Sequence, residues 1–133
     1  MENEVINVNK KENALDLTKS LEQVGFQVEK EKNVENTYRL SFLLNEIVST
    51  IRIVLDYDRN EIVITNMTVL PSEKTRFGYG RKAISALLEW SKTNNFKKIV
   101  ATQVQDDSEG FWEKIGFKKS SENIELNDFE YKL

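Results

Sequence analysis

The sequence of 133 residues contains no cysteine and no histidine. These absences exclude disulfide bonds, thiolate nucleophiles, Cys/His zinc sites and every catalytic arrangement that needs a histidine base. Carboxylates, tyrosines, lysines, hydroxyl groups and backbone groups remain as candidates for any chemistry. The sequence therefore predicts no metal site and no covalent intermediate carried on cysteine.

Proline occurs once, and long apolar runs are missing. The longest apolar run is far shorter than the ~20 residues that a membrane helix needs, and the N-terminus lacks the basic and apolar regions of a signal peptide. A net charge of −3 argues against broad nucleic-acid binding. We expect one globular domain over residues 1–133, located in the cytoplasm, with neither a membrane nor a nucleic acid as partner.

The first part of the chain predicts a helix followed by strands. The segment ALDLTKSLEQVGF sets Leu17, Leu21 and Val24 at helical spacing and ends at Gly25, a residue that commonly terminates helices. The segment TYRLSFL alternates apolar and polar residues, and IVSTIRIVLDYDRNEIVITNMTVL contains two β-rich runs around a turn at 58–60. Three antiparallel strands are therefore expected before residue 70.

The second part predicts a helix from Gly80 to about Asn94, a buried strand at KKIVATQV and a short helix at SEGFWEKIGF. One or two final strands are expected from four alternating apolar residues: Ile124, Leu126, Phe129 and Tyr131. The third strand, the Gly80 helix and KKIVATQV form a β-α-β unit, which is the one place where parallel pairing is expected. The predicted fold class is α/β, with a mixed, mainly antiparallel central sheet flanked by helices.

The segment KTRFGYGRKAI places two glycines, Gly78 and Gly80, at the start of the predicted helix. Four cations surround them: Lys74, Arg76, Arg81 and Lys82. A helix N-terminus already carries partial positive charge, so a first turn normally favours acidic residues. Glycine also lets backbone N–H groups approach a ligand closely. The segment therefore predicts a binding site for an anion, although a glycine-rich loop with solvated cations would look the same.

A second segment makes the interpretation more specific. VLPSEKTRFGYGRKA at 69–83, followed after one strand by GFWEKIGF at 110–117, resembles the GNAT superfamily of N-acetyltransferases. In that family a strand ending in Val-x-Pro leads into a Gln/Arg-x-x-Gly-x-Gly/Ala loop that binds the pyrophosphate of coenzyme A. The resemblance implies that acetyl-CoA is the cosubstrate and that an amine of a small molecule or peptide accepts the acetyl group.

The resemblance also implies roles for individual residues. The strand backbone at Met67, Thr68 and Val69 would contact the pantetheine arm. The pyrophosphate would be held by seven consecutive residues of the loop and the helix start: Thr75, Arg76, Phe77, Gly78, Tyr79, Gly80 and Arg81. Since no cysteine is available to carry the acetyl group, transfer would be direct, from thioester to amine in a ternary complex.

Two positions depart from the family pattern. Thr75 stands where the family has Gln or Arg, so that Arg76 or Lys74 would have to replace that side chain. Trp112 stands where many relatives have a tyrosine that protonates the leaving thiolate, and an indole cannot serve as that acid.

The base that deprotonates the amine is predicted to be Glu61, which opens the strand before the loop and could instead be a surface residue beside a turn. Asn66 could hold a water molecule, and Tyr131 could approach from the last strands.

Two alternatives remain open from the sequence. GYGRKA also fits the Gly-x-Gly-x-x-Gly/Ala pattern of dinucleotide-binding folds, and Asp106 and Asp107 follow the next strand, near where an acid would bind ribose. Against this, seven residues separate Leu70 from Gly78, which is too long for the tight turn of that fold. The second alternative is a binding module that keeps a coenzyme A or partner site without transfer chemistry, and Trp112 favours it.

Overall fold

The computed structural model describes residues 2–44, 49–67, 79–120 and 124–133. Within these residues the three α-helices are α1 (Glu2–Val24), α2 (Tyr79–Thr93) and α3 (Glu109–Lys114). Its seven strands are β1 (Phe26–Val34), β2 (Thr37–Leu44), β3 (Ser49–Asp56), β4 (Glu61–Met67), β5 (Lys98–Ala101), β6 (Lys118–Lys119) and β7 (Phe129–Lys132). Short 3-10 turns lie at Asp106–Ser108 and Ile124–Leu126. Within these residues, no helix combines the length and the apolar composition required to cross a membrane.

All seven strands form one sheet in the order β1-β2-β3-β4-β5-β7-β6. The β4–β5 pair is parallel, and the other neighbours are antiparallel. Helix α2 connects the two parallel strands, as a crossover between parallel strands requires. The predicted fold class and the predicted β-α-β unit are both confirmed.

One face of the sheet, here called the covered face, packs against the helices. Helix α1 buries Leu17 and Leu21, and helix α2 buries Ile84 and Leu87, all at 1% exposure or less. The indole Nε1 of Trp90 in α2 donates a hydrogen bond to the backbone oxygen of a residue in α1, Asn13, at 3.1 Å. The sheet completes this core with apolar residues from six strands: Phe26, Tyr38, Leu40, Phe42, Ile51, Ile53, Leu55, Ile62, Ile64, Ile99, Ala101 and Phe129.

The opposite face, here called the open face, is not packed in this way. Along β3 the buried residues Ile51 and Ile53 alternate with Arg52, which is exposed, and Val54, which is partly exposed. The same alternation holds in β4, where Val63 and Thr65 are partly or fully exposed. Ser41 is the buried exception among the described side chains of this face in β2 to β4. A sheet with one packed and one solvated face explains this period of two.

The structure differs from the sequence-based expectations in two strands. The segment before the glycine loop contains four antiparallel strands rather than three, because FQVEKEKNV forms β1. This segment lacked a strand signal because most of its side chains are polar and exposed on an edge strand. Near the C-terminus, Ile124 and Leu126 lie in a 3-10 turn, while β6 at Lys118–Lys119 and β7 form the final hairpin.

Candidate functional site

The two parallel strands part at their carboxyl ends. Their last paired residues are Ile64 and Ala101. The next residue of the second strand, Thr102, donates its backbone N–H (3.1 Å) and its Oγ1 (3.3 Å) to the backbone oxygen of Ile64. Strand β4 continues to Met67 along its other neighbour, β3. This parting, here called the β4–β5 cleft, lies where open α/β sheets bind their ligands.

A β-bulge lies in β4 at the start of the cleft. Ile64 pairs with Ile53 of β3, whereas Asn66 pairs with Arg52, so Thr65 is an extra residue. Such bulges bend a strand and commonly lie next to active sites, where they redirect the residues that follow. Here the bulge affects Asn66 and Met67, the last described residues before the loop.

The N-terminus of α2 has the character of an anion site. Its first turn contains no acidic residue, and Arg81 and Lys82 are both exposed. The backbone N–H groups of a first helical turn and two cations therefore lie together at the start of this 15-residue helix. Tyr79, Gly80 and Arg81 open this helix, and their predicted binding of the pyrophosphate of coenzyme A stays a prediction.

The other predicted cofactor residues divide into two groups. Met67 ends β4, at the cleft. Six further residues lie outside the described part of the chain: Thr68, Val69, Thr75, Arg76, Phe77 and Gly78.

A groove of about 730 Å³ runs between α1 and α2, beginning at Arg81 and Lys82. Its lining is mixed, with Asp16 and Glu89 among the polar groups and Trp90 among the apolar ones. Sequence reasoning assigned no part of the site to α1. No sequence signal reveals this groove, because it depends on how two helices separated by four strands pack together.

Glu61 is not brought together with the predicted cofactor residues. It lies at the amino end of β4, six residues before Met67, which corresponds to roughly 20 Å along an extended strand. Its carboxylate lies 3.7 Å from the Nζ of Lys98, which also lies 3.3 Å from Glu130. This position favours a structural ion pair, and the role of Glu61 as a base stays a prediction.

Trp112 lies in an aromatic cluster. Only 4% of it is exposed, and its ring packs edge-on against Phe111 at 5.2 Å and Phe117 at 4.9 Å. Tyr131 packs on the other side of Phe117, at 5.5 Å, and the Nζ of Lys92 lies 5.8 Å from the centre of its ring. Both residues therefore act as packing groups on the covered face.

Sequence reasoning missed a polar cluster that holds the chain after β5. Gln103 has a positive φ of 51°, and its backbone N–H donates to the carboxylate of Asp128 at 2.9 Å. The amide of Asn127 donates to the backbone oxygen of Val104 and to the carboxylate of Glu109. These contacts fix one wall of the β4–β5 cleft. The adjacent Asn and Asp were the available signal, since both residue types commonly bond to backbone groups.

Comparison with known proteins identifies one matching family and several similar solved structures. The family model for the acetyltransferase (GNAT) family matches residues 11–117. Among solved structures, an acetyltransferase from Bacillus cereus is 16% identical, with 77% of this chain and 80% of that chain aligned at a TM-score of 0.57. A domain from Methanocaldococcus jannaschii is 22% identical, with 76% of this chain and 70% of that chain aligned at a TM-score of 0.56.

A third similar structure carries ligands. N-acetylglutamate synthase from Neisseria gonorrhoeae, complexed with coenzyme A and N-acetyl-glutamate, is 12% identical at a TM-score of 0.53. The alignment covers 94% of this chain but 33% of that chain. At these identities the likeness shows a shared fold. A search of curated protein sequences gave no significant match.

Proposed function

The chain belongs to the acetyltransferase (GNAT) family, and from this premise we propose that it transfers an acetyl group from acetyl-CoA to an amine. The observation that carries the proposal is the β4–β5 cleft, because the β-α-β topology brings the start of α2, with Arg81 and Lys82, to the same end of the sheet. The acetyl thioester would bind in the cleft, and the pyrophosphate of coenzyme A would bind at the N-terminus of α2. Acetyl-CoA supplies an acetyl group already activated as a thioester.

The binding roles follow the order of the chain. The backbone of Met67, Thr68 and Val69 would hold the pantetheine arm, and residues from Thr75 to Arg81 would hold the pyrophosphate. The described members of this set support the assignment, because Met67 ends the strand at the cleft and Arg81 is exposed in the first turn of α2. The exposed Lys82 adds a second cation.

Direct transfer fits the residues available. The amine nitrogen forms a C–N bond with the acetyl carbon, the C–S bond breaks, and the proton released by the amine balances the one taken up by the thiolate. Holding two reactants in attack geometry is worth about 7–11 kcal/mol, whereas a general acid contributes roughly 10²–10⁴-fold. Positioning is the larger effect, so a buried Trp112 in place of an acid is compatible with activity.

Two other functions remain to be compared with this proposal. A coenzyme A-binding module without transfer chemistry is favoured by the burial of Trp112. The dinucleotide-binding alternative loses support, because the described sheet has a single parallel pair, while such folds need several successive parallel strands.

The test measures coenzyme A release from acetyl-CoA in the presence of a panel of amines and short peptides. Transfer to at least one amine is expected, and its absence across the panel, with coenzyme A still bound, would favour the binding module.

Arg81→Glu should weaken coenzyme A binding about tenfold, in a salt-dependent way. Arg59→Glu is the matched control, since Arg59 is exposed in the β3–β4 turn, at the other end of β4. Equal affinities of the two variants would place the anion site elsewhere.

The base has its own test. Glu61→Gln removes a carboxylate, so a base at this position would make kcat fall roughly 10²–10⁴-fold. Because Glu61 is paired with Lys98, we expect kcat to change less than about twofold and thermal stability to fall slightly.

A further inference from the structure

The open face carries a group of cations on its first three strands. Lys30 and Lys32 lie in β1, Arg39 lies in β2 and Arg52 lies in β3, and all four are exposed. The strand register places them on the same face, since Lys30 and Arg52 both pair with Ser41. These four residues are here called the basic face. They are prominent in a chain whose net charge is −3.

The cations of the basic face repel one another. Lys32 lies directly opposite Arg39 across the β1–β2 pair. Like charges in this position repel each other and destabilise the pairing. The carboxylate of Glu29 is close by, where it accepts a hydrogen bond from the Oγ of Ser41 at 3.1 Å. Among the described residues no carboxylate forms an ion pair with any of the four cations. The four exposed cations therefore have positive charge available for an anionic group.

The basic face continues to the β4–β5 cleft. Arg52 pairs directly with Asn66, the residue after the bulge that opens the cleft. Neighbouring strands lie roughly 4.8 Å apart, so Ser41 is about 10 Å and Lys30 about 15 Å from Asn66 across the sheet. Helices α1 and α2 occupy the covered face. In the described part of the chain these two helices leave the open face uncovered, which gives an acceptor a route to the cleft beside Arg52.

We propose that the basic face selects acceptors that carry carboxylates, namely peptides whose reactive amine is followed by acidic residues. This inference rests on the proposed acetyl transfer, because it uses the cleft as the place of reaction. An extended peptide rises about 3.3 Å per residue, so carboxylates two to four residues from the amine would reach the cations. Nucleic acid is the less favoured anion, because the described side chains on the open face of β1 to β4 include no aromatic group for base stacking.

The experiment uses two pentapeptides with a free N-terminal amine and a C-terminal fluorophore. One has Asp and Glu at its last three positions, and the other has Asn and Gln there. Anisotropy titrations of the full chain should show about tenfold tighter binding of the acidic peptide near 0.05 M salt, and a much smaller difference near 0.5 M. Arg39→Gln and Arg52→Gln should each reduce this preference severalfold. Arg59→Gln, which removes an exposed arginine from the β3–β4 turn, should leave it unchanged.

The outcomes separate the two proposals. The basic face would be overturned as a recognition site if the protein bound both peptides equally. It would also be overturned if Arg59→Gln reduced the preference for the acidic peptide as much as Arg39→Gln and Arg52→Gln do. Both results hold whether or not the protein is active. Tighter binding of a single-stranded oligonucleotide than of the acidic peptide would also overturn it. Selective binding of the acidic peptide without any acetyl transfer would support the basic face and contradict the proposed enzymatic function. With acetyl-CoA present, kcat/KM should follow the same order as binding.

Discussion

At the scale of single residues, the buried hydroxyl group of Tyr57 affects the stability of the fold. Its ring packs 5.5 Å from that of Phe96, and its hydroxyl oxygen is buried without a hydrogen-bond partner among the described residues. Burial, with a smaller effect from Tyr38, raises the pKa of Tyr57 from its ordinary value of 10.0 to about 12. The hydroxyl group therefore destabilises the fold, and its ionisation destabilises it further.

We expect Tyr57→Phe to raise the free energy of unfolding by about 1 kcal/mol at neutral pH, because it removes an unsatisfied buried group. The raised pKa means that the unfolded chain releases this proton near pH 10 and the folded chain near pH 12. The folded state thus loses stability as pH rises through this window. Urea unfolding between pH 8 and 12 should show a smaller alkaline loss for Tyr57→Phe than for the wild type.

The control replaces Tyr131, whose side chain is partly exposed, with phenylalanine. An equal alkaline loss in the wild type and in Tyr57→Phe would contradict the assignment of the transition to Tyr57.

Trp112 divides the enzymatic from the non-enzymatic hypothesis, and two substitutions separate its possible roles. Trp112→Tyr and Trp112→Phe both remove bulk from the cluster with Phe111 and Phe117, at a cost of about 1–3 kcal/mol in unfolding free energy. Only tyrosine adds an acid. Because Trp112 is 4% exposed, we expect equal kcat values for the two variants with any accepted amine. A kcat for Trp112→Tyr that exceeds that of Trp112→Phe by the roughly 10²–10⁴-fold of acid catalysis would show that this side chain faces the reacting sulfur.

At the scale of elements, α3 is terminated by backbone geometry. Gly116 follows the helix with a φ of 102°, and a Cβ there would lie 2.8 Å from the ring of Tyr131. Both the conformation and the close approach require glycine. Gly110, inside the helix, has no atom within 4 Å of such a Cβ. The same chemical change should therefore have opposite effects at two glycines six residues apart.

We expect Gly116→Ala to lower the free energy of unfolding by about 2 kcal/mol or more, because the left-handed backbone and the contact with Tyr131 both oppose a side chain. Gly110→Ala should raise it by about 0.5–1 kcal/mol, since alanine favours the helix. Chemical denaturation of both variants measures these values. Equal effects of the two substitutions would contradict the special requirement for glycine at position 116.

The elements also show why parts of the fold were predictable. Helix α2 and strands β3 and β4 follow strong apolar periods, because each buries one side in the core. Strand β1 was missed because charged residues rather than apolar and polar residues alternate along it, and its pairing with β2 provides the stabilisation that its sequence does not reveal. The loop with Gly78 and Gly80 attracted attention because its glycines and cations are close in sequence, and its role in cofactor binding stays a prediction. The basic face could not be predicted from the sequence, since Lys30 and Arg52 come to lie on either side of Ser41 only through the register of three strands.

At the scale of the whole molecule, the two proposed anion sites lie in a chain whose net charge is −3. Two exposed cations lie at the N-terminus of α2, and four form the basic face. The sheet connects the two cationic regions through β4, which ends at Met67 and pairs with Arg52 at Asn66. A carrier anion and an anionic acceptor would thus bind on two sides of one cleft.

Coenzyme A should stabilise the whole fold, because its proposed site includes the end of β4 and the start of α2, two elements that also build the core. A ligand present at ~100 times its Kd stabilises by about 2.7 kcal/mol, which corresponds to roughly 5–10 °C in Tm for a chain of this size. Thermal unfolding with coenzyme A, acetyl-CoA and NAD measures this. Both coenzyme A forms should raise Tm at sub-millimolar concentration, NAD should not, and the shift should shrink in Arg81→Glu but persist in Arg59→Glu. A shift with NAD alone would instead support the dinucleotide-binding alternative, and it would mean that the cations of α2 bind a different pyrophosphate.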